Sequence, residues 1–475
     1  MPLSLFNTMT KKKEVFKPLK GKTVKIFVCG VTVYDYTHLG HARTYSFYDT
    51  LVRFLRYSGY KVTYLQNVTD VGHLTEDTGE DKVERKAKQE KKHPLEIANF
   101  YLENHLQVVD RLKLLRPDIL AKATDHIKEI TEQVETIIQN GYAYVVNGSV
   151  YFDVSKFRDY GKLSKKIPKE LKAGARVEIN VDKTDPHDFV LWIKATLEHV
   201  LGWSSPWNEW GYPGWHIEDT AIALKYFGSQ YDIHGGAIEL AFPHHEAEIA
   251  QAEATTKIKP YVKYWVHSGL LTINGQKMSK SLGNFIRVFD ALENHSPETL
   301  RLWIASTYYR KPLDYNEKDL EVARKKVEKV RITLERIKEN YTKARRKEYF
   351  SDSIKKLKKE FLDAMNDDLN TPLALTKFFE IISLVNKNID NNKFSKSDLK
   401  LAEDTVLEFG NLFQIISEVK KKEMPKEVMD LIKRREIFRK IGNFAAADAI
   451  RDEIKEKYGI IVEDTKEGIK WKFVE

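Results

Sequence analysis

The sequence predicts an α/β protein. A doubly wound parallel (Rossmann-type) domain with an insertion comes first, then an all-helical bundle and a small C-terminal module. Three observations carry this reading: a strand–helix–strand pattern near the start, a return of strand pattern at Tyr231, and almost unbroken helical periodicity beyond 316. Val24, Ile26 and Val28 alternate in a β-branched run that ends at Cys29-Gly30, which reads as a strand. After a polar turn through Thr37, Ala42, Tyr45, Tyr48, Leu51, Val52 and Leu55 recur at helical spacing. Ser58-Gly59 ends that helix, and Val62 to Val68 forms a second strand leading to Thr69-Asp70. This βαβ unit starts a parallel sheet.

The charged run Asp81 to His93 is expected to be a solvated helix or a mobile loop. Helical pattern then continues to Asn140-Gly141, and Tyr142 to Asp153 reads as a strand. Residues 160–212 are lysine- and turn-rich and read as an insertion, after which strand pattern resumes over Tyr231 to Gly236. The expected domains are 1–300, interrupted by an insertion near 120–210, then a connecting helical region at 301–350, a bundle at 351–419 and a terminal module at 423–475. Ala323, Val327, Val330, Leu334, Ile337 and Tyr341 follow a 4-3-4-3-4 spacing, a core seam and not a cofactor site. Two further helical stretches are expected at 352–386 and 396–419, with a linker at Lys420-Lys421-Lys422 and Pro425.

At 475 residues the chain is too long for one core. Its 42% hydrophobic and 31% charged residues describe a soluble globular protein. No apolar run reaches the roughly 18 residues of a membrane span, and Met1 to Lys13 lacks the apolar region of a secretory signal. A single cysteine, Cys29, excludes an internal disulfide and fits a reducing cytoplasm. The net formal charge of +9 suits a polyanionic partner such as RNA, and equally a lysine-rich solvated surface.

Two short motifs carry chemistry. His38-Leu39-Gly40-His41 falls between the first strand and its helix, where a doubly wound sheet presents helix amides to phosphates. Two imidazoles there can donate to charge developing on a leaving pyrophosphate, and Gly40 admits close approach. Lys277-Met278-Ser279-Lys280-Ser281 follows a strand-like Leu270 to Ile273, in a mobile-looking loop between Gly275 and Gly283. Two lysines three apart can clamp phosphates in a transition state. Farther along, Pro243 suits the first turn of a helix on which His244 and Glu248 lie four apart, a spacing that serves either one metal or a surface hydrogen bond. Cys29, at the carboxyl end of the first strand, is available as a further ligand or as a small buried hydrophobe.

In this order, the two motifs resemble the signature of class I aminoacyl-tRNA synthetases. Further runs make the chain similar to the cysteinyl-tRNA synthetase family: Cys29 to Asp35, Asn67 to Asp70, Pro213 to Glu218, Asp232 to Gly236, Phe242 to Glu246, Asp363 to Pro372, and Asp464-Thr465 to Trp471. The resemblance spans residues 20 to 471 essentially throughout. It implies activation of L-cysteine with ATP and Mg2+, then transfer to tRNA(Cys), by a cytoplasmic monomer. It makes His38, His41, Lys277 and Lys280 catalytic, and places Gly30, His38, Gly40, His41, His234, Gly235, Gly236, Lys277 and Lys280 around ATP or the adenylate. Thr32, Thr69 and Trp215 would receive the cysteine, and Arg434, Arg439, Asp448 and Arg451 would touch the anticodon.

The resemblance also implies a zinc ion held by Cys29, Asp219, His244 and Glu248, to which the substrate thiol would bind. A soft thiolate on zinc differs far more from a hydroxyl than pocket shape alone could manage. Asp219 stands where the family usually has cysteine; it keeps the ligand charge but is a harder donor. Tyr212, Ala237 and Ala247 are smaller departures, from arginine, glycine and asparagine. A related ligase that joins cysteine to a small amine, as in mycothiol synthesis, shares only the catalytic half, and the basic tail argues against it.

Overall fold

The computed structural model describes residues 1–72, 81–165, 182–196, 198–214, 216–278, 283–345, 347–416, 425–465 and 468–473. A hairpin of β1 (Ser4–Asn7) and β2 (Lys12–Val15) precedes β3 (Thr23–Thr32), α1 (Leu39–Tyr57) and β4 (Lys61–Thr69). β3 pairs parallel with β4, Val24 opposite Val62 and Thr32 opposite Thr69, with a register shift between Val28 and Val31. Only glycine fits at position 30, where a Cβ would lie 1.8 Å from the Asn67 carbonyl oxygen. The predicted stripe of α1 is buried, and so are Leu39, Phe47 and Phe54, so this helix is covered on nearly every side.

Next come α2 (Lys82–Glu90), α3 (Pro94–Arg111), β5 (Ile119–Lys122) and α4 (Ile127–Gln139). The charged run is therefore a helix, and its acidic start is not solvated. Asp81 and Glu84 are buried; Asp81 caps α2 through the Val83 and Glu84 amides, and Glu84 accepts the Val200 and Leu201 amides at 2.9 Å. The single strand expected over Tyr142 to Asp153 is instead a hairpin, β6 (Ala143–Val146) and β7 (Ser149–Phe152), reversed at Asn147 and Gly148, both with positive φ. β8 (Phe189–Lys194) and β9 (Gly211–Pro213) extend it to an antiparallel sheet ordered β6-β7-β8-β9.

The chain then returns through α5 (Ile217–Phe227), β10 (Tyr231–Ala237), α6 (His244–Thr256) and β11 (Val262–Ser268). The parallel sheet runs β11-β10-β3-β4-β5. From β3 the chain builds outward through β4 and β5, and later fills the other side with β10 and β11. The β3/β10 seam is thus a topological switch point, where open α/β sheets bind ligands.

β12 (Leu271–Ile273), β13 (Gln276–Lys277), α7 (Val288–Asn294), α8 (Pro297–Ala305) and β14 (Leu313–Tyr315) follow, with strand order β13-β12-β14. The bundle comprises α9 (Glu317–Asn340), α10 (Ser351–Asn366), α11 (Thr371–Asp390) and α12 (Lys396–Phe413). The stretch expected as one helix over 352–386 is two. It breaks where Asp368 and Leu369 take positive φ and Pro372 starts the next helix. Residues 1–417 form one compact unit and 418–475 another. The second holds α13 (Lys426–Lys440), α14 (Phe444–Tyr458) and a hairpin of β15 (Ile460–Thr465) and β16 (Gly468–Phe473), around a core that includes Val428, Ile450, Ile454 and Ile460.

Arg301 on α8 joins the sheet domain to the bundle. Fully buried, it donates to the Asp49 carboxylate on α1, to the Phe413 carbonyl at 2.6 Å and to the Leu112 carbonyl at 3.3 Å. Removing one partner of a buried pair strands the other charge. Asp49→Ala is expected to lower the stability of the first unit by about 3–5 kcal/mol, read from its chemical denaturation; a change within noise would contradict this role.

Candidate active site and metal centre

At the carboxyl ends of β3 and β10 lies a cavity of about 410 Å³, within the usual range for a small-molecule site. Cys29, Gly30, Thr32, His38, Gly40 and His41 line one side; Gly236, Glu239, Leu240, Leu270, Met278 and Phe285 line the other. A larger open groove of about 1040 Å³ runs along α9, α10 and α11, but none of the motif residues lines it.

The two histidines of the first motif cap α1. His38 is the N-cap residue, and Leu39 to His41 already belong to the first turn, so the motif starts the helix instead of preceding it. His38 Nδ1 accepts the His41 amide and His41 Nδ1 accepts the His38 amide, both at 3.3 Å. The rings stack with centroids 3.7 Å apart. Gly40 permits this arrangement, since a Cβ there would lie 2.9 Å from the His38 ring. With both Nδ1 atoms accepting, each neutral ring carries its proton on Nε2 as a donor. Burial pushes the His38 pKa down to about 4 and that of His41 well below the ordinary value, where His38 and His105 add to the effect. Both rings are therefore neutral at pH 7, as a helix N-terminus favours.

Lys277 sits on a strand, not in the expected loop. Asn274 and Gly275, both at positive φ, form the tight turn of the β12–β13 hairpin, and Lys277 pairs with Thr272. Its ammonium group meets the Glu239 carboxylate at the cavity rim. Met278 lines the cavity, whereas Lys280 lies outside the described residues.

Three elements, β3, α5 and α6, bring together Cys29, Asp219, His244 and Glu248. His244 Nε2 stands 3.4 Å from Cys29 Sγ, 3.1 Å from Asp219 Oδ2 and 3.0 Å from Glu248 Oε1; Sγ and that Oε1 are 3.9 Å apart. Tetrahedral zinc with ordinary bond lengths separates its donor atoms by roughly 3.3–3.8 Å. Both Asp219 oxygens and Glu248 Oε2 are buried without a hydrogen bond of good geometry. Orphaned buried oxygens of this kind are costly, and a cation would satisfy them. Burial pushes the Cys29 thiol and the Asp219 carboxyl up, while at Glu248 His234 and His244 outweigh burial and bring the carboxyl down to about 2. The donor set thus fits a divalent metal.

A second set, Cys29, His234, His245 and Glu248, shares two of these ligands. His234 does not reach the cavity. Fully buried, it bonds Tyr231 and faces Cys29 at 3.4 Å and Glu248 at 3.3 Å. Gly235 is packed against Val266, where a Cβ would come within 1.8 Å of its carbonyl oxygen, so of the glycine pair only Gly236 lines the cavity. Thr69 is buried and donates to Glu218 at 3.2 Å, across from Thr32 in the β3–β4 register; Trp215 lies outside the described residues. His245 was not singled out by sequence, yet its Nε2 is 3.1 Å from Cys29 Sγ and its Nδ1 is 2.8 Å from His267. Its signal was the adjacent His244-His245 pair with Glu248 one turn on.

In the second unit, Arg434 and Arg439 are exposed on α13. Asp448 and Arg451 on α14 pair with each other at 2.9 Å. Among the described residues no helix is long and apolar enough to cross a membrane.

Solved structures share this architecture. Methionyl-tRNA synthetase of Mycobacterium tuberculosis bound to methionyl-adenylate superimposes with a TM-score of 0.59, at 14% identity, over 83% of this chain and 90% of that one. The fold is that of the class I aminoacyl-tRNA synthetases. A family model described as the tRNA synthetases class I (C) catalytic domain matches residues 15–325, and a DALR domain model matches 360–417. The cysteine–tRNA ligase of Chlorobium chlorochromatii is 44% identical over 99% of both chains, and that of Carboxydothermus hydrogenoformans 41% identical over 99% of this chain and all of its own. The chain belongs to the cysteine–tRNA ligase family.

A histidine whose pKa is depressed on folding binds its proton more tightly when unfolded, so stability falls as pH drops from about 6.5 to about 4. His38→Asn retains an N-cap acceptor and removes one such group. It is expected to flatten this acid limb by up to about 1.4 kcal/mol per pH unit, measured by denaturation at pH 4.5–7. An unchanged slope would contradict the buried, neutral His38.

Proposed function

We propose that this chain is a cysteine–tRNA ligase that forms cysteinyl-adenylate from L-cysteine and ATP and then esterifies tRNA(Cys). The observation that carries the reading is one cavity lined by His38, His41, Met278 of the hairpin that bears Lys277, and Cys29, through which the cavity adjoins Asp219, His244 and Glu248. In the first step a carboxylate oxygen of cysteine attacks the α-phosphorus of ATP, and magnesium pyrophosphate leaves. The Nε2–H groups of His38 and His41 donate to the phosphate oxygens, and Lys277 and Lys280 take the charge on the leaving group. Gly30, Gly40 and Gly236 let the adenylate approach the backbone, with His234 and Gly235 shaping the strand behind. In the second step a hydroxyl of the terminal ribose of the tRNA attacks the acyl carbon, and AMP leaves.

Cys29, Asp219, His244 and Glu248 would hold zinc, which when bound supplies a soft Lewis acid for the substrate thiolate and so separates cysteine from serine. Thr32, Thr69 and Trp215 would enclose the amino acid. Arg434, Arg439, Asp448 and Arg451 would contact the anticodon, and the enzyme would act as a cytoplasmic monomer. A ligase for small amines is not favoured, because the tRNA-ligase relatives match along the whole chain and a DALR domain is present.

Lys280→Ala is expected to slow cysteine-dependent ATP–pyrophosphate exchange about 10²–10³-fold; near-normal exchange refutes its role. Purified protein is expected to carry about one zinc per chain, because the two candidate ligand sets share Cys29 and Glu248, and Asp219→Ala to lose most of it in elemental analysis. Metal-free wild type that still prefers cysteine over serine would overturn the zinc assignment.

A further inference from the structure

The run Asp363 to Pro372 lies in the bundle, and nothing in the adenylation chemistry accounts for it. Its centre is Asp368, whose side chain is fully buried at the break between α10 and α11 and whose φ of +57° is one that aspartate tolerates. Every close partner of the carboxylate comes from far away in sequence. Oδ1 accepts the Phe6 amide at 2.7 Å and the Tyr309 hydroxyl at 2.8 Å; Oδ2 accepts the Tyr308 hydroxyl and Arg310 Nε, the latter at 3.1 Å. The bundle therefore grips three consecutive residues, Tyr308 to Arg310, through one carboxylate.

The other face of that segment carries the phosphate-clamp hairpin. The Tyr309 carbonyl accepts the Gly269 amide at 2.7 Å, and the Leu313 amide donates to Leu270 at 2.9 Å. β14 then pairs parallel with β12, Leu271 opposite Leu313. Asp314 Oδ1 accepts the Thr272 hydroxyl at 2.7 Å and the Gly275 amide at 2.8 Å, closing the turn that leads to Lys277. On a third side Arg43, two residues after His41 and buried, donates to the carbonyls of Leu270, Tyr309 and Lys311. The segment 308–311 is thus a strap. It is anchored by Asp368 from the bundle and by Arg43 from the helix that carries the histidine pair, and the hairpin is built on it.

We infer that Asp368 is a positioning residue for ATP activation: through the strap 308–311 it fixes the hairpin that presents Lys277 and Met278 to the cavity. The inference rests on the adenylation reading above. A loose hairpin would lower the fraction of time the lysines stand where charge develops, and a misplacement near 1 Å costs on the order of 10²-fold in rate. The cysteine end of the cavity is built on β3, β4, α5 and α6, none of which supplies a partner named above for the Asp368 carboxylate, so binding of cysteine should be spared.

The test uses the full-length chain with Asp368→Asn and, as a milder pair, Tyr308→Phe/Tyr309→Phe, which leaves the carboxylate in place. Cysteine-dependent ATP–pyrophosphate exchange is measured per titrated active site, and hydrogen exchange is followed for the amides of 270–277 against those of β3 and β4. The expected result is a kcat per site lowered roughly 10- to 10²-fold in Asp368→Asn and less in the tyrosine pair. KM for cysteine should be unchanged, with faster amide exchange confined to the hairpin. Unchanged kcat per site in the tyrosine pair and in any folded Asp368→Asn, or amide exchange that rises equally in the sheet and the hairpin, overturns the inference and leaves Asp368 a packing residue. If Asp368→Asn does not fold, the tyrosine pair decides alone. Wild type without cysteine-dependent exchange overturns the adenylation reading, and the inference with it.

Discussion

At the seam between β3 and β10 the chain leaves the sheet in opposite directions, so no crossover helix closes over the carboxyl ends of both strands. That topological constraint makes the cavity, and the rest of the site is arranged around it. The N-terminus of α1 faces it from one side, and Gly236 at the end of β10 with Glu239 and Leu240 from the other. Cys29 on β3 lines the cavity and joins it to Asp219 on α5 and to His244 and Glu248 on α6. Because parallel strands are covered by helices on both faces, polar groups placed at this seam are withdrawn from water and must be satisfied by one another or by a ligand.

The two clusters at the seam solve that problem in opposite ways. His38 and His41 satisfy each other: every Nδ1 has an amide, the rings stay neutral, and the Nε2 donors are left for the cavity. The group of Cys29, Asp219 and Glu248 does not. Cys29 and the two carboxyl groups converge with His244 in a buried space, and both Asp219 oxygens and Glu248 Oε2 lack a hydrogen bond of good geometry. One cluster is complete as a set of donors, and the other has the donor set of a metal site.

Around the site, buried charges are used to tie elements together. Arg301 joins α8 to α1 and to the end of α12, and Arg43 gathers three backbone carbonyls beside the clamp hairpin. Asp368 collects donors from the strap and from the N-terminal hairpin. Each is costly to desolvate and each is repaid by several hydrogen bonds in fixed directions, which makes these contacts selective for one arrangement of bundle and sheet.

Local pattern was legible wherever side-chain period records burial. β3, α1 and β4 follow from alternation and from three- and four-residue steps, and the seam of α9 from its heptad-like spacing. The hairpin at Asn147-Gly148 does carry a sequence signal, the Asn-Gly pair of a two-residue turn. The break at Asp368 carries the Asn370 cap and Pro372 of a new helix, and both signals are passed over when each stretch is read as one element. Asp81 and Glu84 were read as solvated because charge alone does not reveal a buried partner. By itself the sequence determined β3, α1, β4 and α9, the two motifs and the i,i+4 pair of His244 and Glu248, since these depend on near neighbours. Only the tertiary structure decided that His234 turns from the cavity toward Cys29, that Lys277 meets Glu239, and that Arg43 and Asp368 hold segment 308–311 from two sides. Those juxtapositions depend on strand register and helix crossing, which no single segment of the chain encodes.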